Sequence, residues 1–388
     1  MAQPLLISSV GLVETQENML KNTAICNYYS AKFWQMIRKE TLRQASNPDG
    51  SIVFSSDMFK RLYNTCRVPG EVKDEVHEYF KTEAEGDCPA TGIIIGRGRI
   101  FCYDFVVDGE VLTPQEFLHV FTIARDIIHN ETVRPGVPIL TQDGRTNWAK
   151  NRVHLKELSP TNAELLKIVE SAAICNSFDD CEPHDESELA QNTLGGDLNA
   201  RWVDKTSIMV SFKNGRIGLI GEHSAYDGSI SIAFSTFLML SMVEESPPDW
   251  DVMPKHRVIP KELKFELDDH LLEEISRMEE YAVGVKNTVT AQCREYPGYG
   301  KEFMKKQKVH PDAFVQMALQ WTYYKMHKSL APTYETATMR VFHHGRTETV
   351  RSCSIEVKEW IDKMNDPSVS VKNLKTFRWN FITNFVYF

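Results

Sequence analysis

The 388-residue sequence has no CxxC pair, no internal repeat and no low-complexity segment. Its eight cysteines are scattered along the chain, which favours free thiols in a reducing compartment over a disulfide framework. An excess of basic residues is also absent, since 53 acidic and 44 basic residues give a formal charge of −9. This balance argues against a nucleic-acid partner or a broad surface for anionic membranes, and it leaves room for one local basic patch.

Neither a targeting segment nor a membrane span is predicted. The N-terminal stretch MAQPLLISSVGLVETQ lacks a basic n-region, and its apolar run is too short for a signal peptide, so the cytosol is the default expectation. The longest uncharged run, Gly228 to Val243, is shorter than the ~20 residues that a bilayer span requires. It predicts a buried helix and no transmembrane segment.

The length predicts two domains, because it exceeds the size at which a single hydrophobic core stops growing. The best candidate for a boundary is the proline-rich stretch SPPDWDVMPKHRVIPKEL, which predicts an extended connection. The predicted domains are residues 1–265 and 266–388.

Three glycine-containing turns organise the predicted strands. Asn214-Gly215 lies between alternating apolar residues and is the strongest hairpin signal in the chain. Asp108-Gly109 predicts a second turn, followed by a helix capped by Thr113 before Pro114. The segment from Gly96 to Gly98 is open to interpretation as a phosphate loop, but neither GxGxxG nor a Walker lysine follows, so a hairpin turn is favoured.

The segment GEHSAYDG contains the first candidate for chemistry. His223 lies between an apolar strand and the uncharged run, where desolvation favours a neutral imidazole that accepts a proton. Asp227 is near enough in sequence to orient the ring. Alternatively, His223 only ends the strand and Asp227-Gly228 only makes a turn.

Two downstream segments add polar groups. In YGKEFMKKQKVHPDAF, Lys301 and Lys305 share one face if the segment is helical, although such a charge run is also typical of a solvated face. TYETATMRVFHHGRTETVRS is rich in hydroxyl groups, although an ordinary half-buried strand is also rich in threonine. Cys181, His184 and Asp185 have no second ligand pair at zinc spacing, so no metal site is predicted.

These three segments, in this order and spacing, resemble the choline/carnitine acyltransferase family. FKRLYNTCRVPGE, LTQDGRTNWA and RWVDKTSIMVSFKNG resemble further blocks of that family. The resemblance implies an α/β fold with two domains of the chloramphenicol-acetyltransferase type, in which mixed sheets are covered by helices and the histidine lies in a tunnel where the domains meet.

The resemblance also assigns roles in catalysis. His223 is similar to the base that removes the proton from the carnitine hydroxyl, so that the alkoxide attacks the acyl-CoA thioester. Asp227 is similar to the acidic residue that supports this histidine. The implied reaction is reversible acyl transfer between coenzyme A and carnitine, with acyl-CoA as co-substrate and no bound cofactor.

The binding residues follow from the same resemblance. Lys301, Lys305, Asp312 and Thr336 correspond to coenzyme A contacts. Tyr334 and Thr347 correspond to hydroxyl groups that receive the carnitine carboxylate, a group that choline lacks. Carnitine is therefore favoured over choline, since choline acetyltransferases tend to have apolar or amide residues where this sequence has Thr347 and Thr349.

The sequence also departs from the family. Most of the family's N-terminal helical region is missing, and FRWNFITNFVYF, residues 377–388, replaces family sequence. An arginine for the carnitine carboxylate and a Ser-Thr-Ser segment for the oxyanion are expected beyond that point, so the second domain is expected to be incomplete. Two hypotheses stay open: an active carnitine acyltransferase, by family in a mitochondrion or peroxisome, or a truncated, catalytically weak member that binds CoA esters or partner chains.

Overall fold

A computed structural model of the chain describes residues 2–6, 12–286 and 290–369. The described residues form two compact units. The first lies within Met1–Ala45 and Ser56–Cys293, and the second lies within Ser46–Ser55 and Arg294–Phe388. The aromatic segment 377–388 lies outside the described residues.

The first unit is built from helices and a mixed sheet. Its helices are α1 Met19–Arg38, α2 Pro114–Asn130, α3 Arg145–Leu158, α4 Pro160–Ser171, α5 Glu186–Gly195, α6 Gly228–Glu244 and α7 Asp269–Lys286. Its strands are β1 Ala2–Leu6, β2 Thr65–Val68, β3 Glu75–Glu78, β4 Thr91–Gly96, β5 Arg99–Asp104, β6 Val106–Val107, β7 Glu110–Val111, β8 Ile174–Asp179, β9 Ser207–Phe212, β10 Ile217–Glu222 and β11 Lys261–Glu262.

Seven of these strands form one sheet in the order β1-β10-β9-β8-β4-β5-β11. The pairs β4–β8 and β8–β9 are parallel, and the other pairs are antiparallel. Helices cover both faces, since one core cluster contains residues of α1, α2 and α6 and the other contains residues of α3, α4 and α7. The prediction of an α/β protein with a mixed sheet under helical covers is confirmed.

Local sequence accounts for the start and end of several elements. Gly215 has φ +86° in the β9–β10 turn, and a side chain there would be strained and would meet the Thr15 carbonyl oxygen at 2.6 Å. Helix α2 begins with a capping box in which Thr113 and Glu116 bond to each other's main-chain N–H. The predicted hairpin turns and the capped helix are therefore present.

Helix α6 departs from the prediction of a buried helix. Ile230, Phe234 and Leu238 are buried, but Ile232 and Leu240 on the opposite side are more than half exposed. The helix is apolar all round, so its sequence does not indicate which side faces the sheet. Among the described helices, none is long and apolar enough to cross a membrane.

The proline-rich connection leads into β11, which pairs with β5 at the edge of the same sheet. The first compact unit then continues through α7, beyond residue 265. The division into domains 1–265 and 266–388 stays a prediction.

The described part of the second unit contains three helices and a two-stranded sheet. Their bounds are α8 Lys301–Lys306, α9 Pro311–His327, β12 Glu335–Thr338, β13 Thr347–Val350 and α10 Ile355–Met364. A small core joins α9 to α10, and Trp321 and Trp360 pack edge to face at its border, 5.9 Å apart.

Candidate active site

His223 occupies the loop between a buried strand and a long helix. Strand β10 ends at Glu222, and α6 begins at Gly228. All residues of β10 are buried, so the main chain that leads into the loop is fixed by the sheet. The imidazole itself is about one third exposed, with a side-chain accessibility of 37%. The main chain of His223 is therefore fixed by the sheet, while its side chain is accessible to a ligand.

A hydrogen bond defines the protonation of the neutral ring. The Nδ1 atom of His223 lies 3.0 Å from the carbonyl oxygen of Tyr226. A carbonyl oxygen only accepts hydrogen bonds, so Nδ1 carries the proton and donates it. The lone pair is then on Nε2, as a general base requires.

A carboxylate stands beside the same ring nitrogen. An oxygen of Asp227 lies 3.7 Å from Nδ1 of His223, and the Asp227 side chain is only 9% exposed. The structure thus brings together the two residues that the sequence predicted as a pair, and their catalytic roles stay a prediction.

The side chain of Tyr226 connects the His223 loop to the residue that precedes β9. Its hydroxyl donates to the main-chain carbonyl of Thr206 at 2.6 Å, and the residue is buried. Burial raises the pKa of the Tyr226 hydroxyl, which therefore keeps its proton as a hydrogen-bond donor. The carbonyl that orients His223 is thereby tied to the start of β9.

The predicted coenzyme A lysines lie on α8 of the second unit. Lys301 and Lys305 begin successive turns of this helix, and both are exposed. The ammonium group of Lys305 is 3.3 Å from the carboxylate of Glu302, an exposed contact of the kind that contributes little to stability. Asp312 is exposed in the first turn of α9.

The predicted threonines lie on the β12–β13 hairpin. Thr336 pairs with Thr349, and Thr338 pairs with Thr347, so the four hydroxyl side chains share one exposed face. Tyr334 is exposed just before β12. Burial, and then the charge of Asp312, raises the pKa of Glu335 on β12, which links Asp312 electrostatically to this hairpin. The predicted coenzyme A and carnitine contacts thus all belong to the second unit, with Asp312 near the hairpin.

Sequence reasoning missed a group of charged residues behind His223. They form a chain of alternating charge in which each neighbouring pair is in contact: Glu222, Arg67, Asp74, Arg145 and Asp204. A signal was available, because Arg67, Arg145 and Asp204 lie in CRVPGE, DGRTNW and RWVDK, the blocks that resemble the family. The pairings themselves depend on the fold.

A mixed sheet under helical covers, with an HxxxDG histidine at the end of an inner strand, is the architecture of a CoA-dependent acyltransferase. The family model described as choline/carnitine O-acyltransferase matches residues 3–379. The chain belongs to this family.

Curated relatives include both carnitine and choline enzymes. The chain is 35% identical to peroxisomal carnitine O-octanoyltransferase of Mus musculus over 358 aligned residues. This alignment covers 91% of this chain and 58% of the relative. It is 30% identical over 304 residues to mitochondrial carnitine O-palmitoyltransferase 2 of Homo sapiens, covering 77% of this chain and 44% of the relative. It is also 30% identical over 322 residues to choline O-acetyltransferase of Gallus gallus, covering 79% and 49%. The chain thus spans less than two thirds of these relatives.

Proposed function

We propose that this chain provides the catalytic base and the substrate contacts of a carnitine O-acyltransferase, which transfers an acyl group reversibly between coenzyme A and the carnitine hydroxyl. The observation that carries the proposal is the hydrogen bond from Nδ1 of His223 to the Tyr226 carbonyl, at 3.0 Å. It leaves Nε2 as the basic nitrogen of a partly exposed imidazole.

In the proposed reaction, Nε2 of His223 takes the proton of the carnitine hydroxyl while the oxygen attacks the thioester carbonyl. The tetrahedral intermediate collapses with cleavage of the carbon–sulfur bond, and the imidazolium returns its proton to the coenzyme A thiolate. Asp227, 3.7 Å from Nδ1, stabilises the imidazolium between these two steps. A positioned base of this kind contributes about 10²–10⁴ in rate.

The second unit supplies the proposed binding groups. Lys301 and Lys305 meet the phosphate of coenzyme A as exposed cations, and Asp312 and Thr336 add further coenzyme A contacts. Tyr334 and Thr347 donate to the carnitine carboxylate. Coenzyme A serves as a co-substrate in this scheme, and no resident cofactor or metal takes part.

The proposal extends to location and domain organisation. Relatives are named peroxisomal and mitochondrial enzymes, and we propose one of these two compartments for this protein. We also propose that residues 1–265 and 266–388 belong to the two acyltransferase domains of the family fold.

A base and a binding residue respond differently to mutation, which gives the test. We expect His223→Ala to lower acyl transfer from octanoyl-CoA to carnitine by at least about 100-fold, with the dissociation constant of coenzyme A nearly unchanged. His129→Ala is the matched control, because His129 has a similar exposure of 34% and lies on α2. Full activity of His223→Ala would contradict the proposed base. Coenzyme A binding by the unmodified chain without turnover would favour the alternative, a family member that binds CoA esters without catalysis.

A further inference from the structure

The loop that contains His223 is held by a carboxylate on its own strand. Glu222 is the last residue of β10, and its side chain is only 5% exposed. Its carboxylate accepts the main-chain N–H of Ser224 at 3.0 Å and also the Ser224 hydroxyl. Glu222 therefore clamps the main chain on both sides of His223.

Arg67 in turn fixes Glu222. Its guanidinium lies 3.3 Å from one oxygen of Glu222 and 2.6 Å from Asp74. Arg67 belongs to β2, which is not a strand of the large sheet, so this contact ties the His223 loop to a separate element. A planar guanidinium is suited to bridge two carboxylates in fixed directions.

The chain of charges continues away from the loop. Asp74 also accepts from Arg145 at 2.8 Å, and Arg145 donates to Asp204 at 2.7 Å. The carboxylate of Asp204 is buried and accepts a hydrogen bond from the indole N–H of Trp148 at 2.7 Å. The main-chain carbonyl oxygen of Asp204 accepts a hydrogen bond from the main-chain N–H of Arg67 at 2.8 Å. Arg67, Asp74, Arg145 and Asp204 thus form a closed ring that links β2, α3 and the segment before β9, and Glu222 at the end of β10 is attached to it through Arg67. We call these five residues the brace.

Such a brace acts on geometry and not on the chemistry itself. The contacts described for it join the five charged residues to one another and to the main chain, whereas a hydrogen bond of the imidazole goes to Tyr226. Loosening the clamp would let the Ser224–Tyr226 turn move, and the Tyr226 carbonyl with it. Because a displacement of about 1 Å costs up to 10²-fold in rate, a firm turn is worth as much as a catalytic contact.

We propose that Arg67 and Glu222 are positioning residues for His223: they hold the turn whose carbonyl fixes the proton on Nδ1. This inference rests on the proposed role of His223 as the base. It predicts that weakening the brace changes the balance of the two imidazole tautomers while the fold stays intact.

The experiment measures the ring nitrogens directly. In the full chain labelled with ¹⁵N-histidine, the His223 signals are assigned by their loss in His223→Gln. The unmodified protein is expected to show two well-separated ¹⁵N shifts, as for one fixed tautomer, and in Arg67→Lys and Glu222→Gln these shifts move toward each other. Where transfer is measured, we expect kcat to fall by about 10- to 100-fold, with the KM for acyl-CoA within about twofold.

The matched control is Arg61→Lys. Arg61 also binds a carboxylate, that of Glu78 at 2.8 Å, and its side chain is 24% exposed against 28% for Arg67. Glu78 is an exposed residue of β3 and not part of the His223 loop, so the His223 shifts should stay unchanged. Ser224→Ala is the second variant, since it removes from an exposed residue the hydroxyl that Glu222 accepts, and it should also bring the shifts together.

Unchanged shifts in Arg67→Lys, Glu222→Gln and Ser224→Ala would overturn the inference, and this readout does not require turnover. Failure of the proposed base is recognised separately, because His223→Ala would then keep its activity whatever the shifts show. A loss of kcat in Arg67→Lys with an unaltered tautomer would also overturn the positioning role.

Discussion

The hydroxyl of Tyr226 donates to the main-chain carbonyl of Thr206 at 2.6 Å, while the carbonyl of Tyr226 accepts the Nδ1 proton of His223. One buried side chain therefore connects the start of β9 to the orientation of the candidate base. The Thr206 carbonyl also accepts the main-chain N–H of Glu222 at 3.0 Å, so both ends of the loop converge on one acceptor.

Tyr226→Phe tests this connection. We expect the free energy of unfolding to fall by about 1 kcal/mol, because the Thr206 carbonyl keeps its second donor. Acyl transfer should fall more than that loss of stability explains, because the carbonyl that orients His223 is no longer tied down. Tyr63→Phe is the control: Tyr63 is also buried and donates to the Ser30 carbonyl at 2.9 Å. The measurements are urea unfolding and the acyl-transfer rate of both variants. Equal transfer rates for Tyr226→Phe and Tyr63→Phe would disprove the connection between Tyr226 and His223.

The coenzyme A lysines give a second prediction. Lys301→Ala and Lys305→Ala should raise the KM for acyl-CoA several-fold, by roughly 1 kcal/mol of lost charge-assisted binding each, and should have less effect on an acyl-CoA lacking the 3′-phosphate. Lys358→Ala is the control, since Lys358 is an exposed lysine on α10. If both substrates respond equally to the α8 variants, the lysines are surface charges only.

The threonine face of the hairpin gives a third prediction. Thr347→Val should raise the KM for carnitine by about tenfold. A hydrogen bond to a charged carboxylate contributes about 1.5–3 kcal/mol, and in the variant a water molecule that bonds to the carboxylate recovers part of this free energy. Thr338→Val is a close control, as Thr338 is the cross-strand partner of Thr347 on the same face. Steady-state kinetics at saturating acyl-CoA measure the effect, and similar KM values for the two variants would refute the assignment.

The buried carboxylate of Asp204 gives a prediction about pH. Burial raises the pKa of Asp204 from 3.8 to about 6, against the opposing effect of Arg145. The native state therefore retains a proton that the unfolded chain releases, and the stability gained from it below pH 4 is lost as the pH rises through about 6. Relative to Asp204→Asn, the free energy of unfolding should fall by about 1–3 kcal/mol across this window. Urea unfolding at stepped pH measures it, and parallel curves for the two proteins would contradict the raised pKa.

Local signals predicted many elements correctly. The Asn214-Gly215 turn and the Thr113 cap depend only on main-chain geometry within a few residues, so the sequence alone indicates them. The exposed side of α6 was not predicted, because Ile232 and Leu240 are as apolar as the residues that pack against the sheet. Burial there is decided by the elements around the helix and not by its composition.

The sequence by itself determined the family, the α/β class and the pairing of His223 with Asp227, because each depends on residues close together or in a fixed order. Only the tertiary structure decided that the Nδ1 proton of His223 faces the Tyr226 carbonyl and that Glu222, Arg67, Asp74, Arg145 and Asp204 form one chain of charges. Those residues come from β2, α3 and the ends of β9 and β10, and no periodicity in the sequence relates them. Their contacts arise because the end of β10 and the start of β9 are neighbours in the sheet while β2 and α3 contact Asp204 beside them, and the buried carboxylates of Glu222 and Asp204 are stable there only with opposite partners.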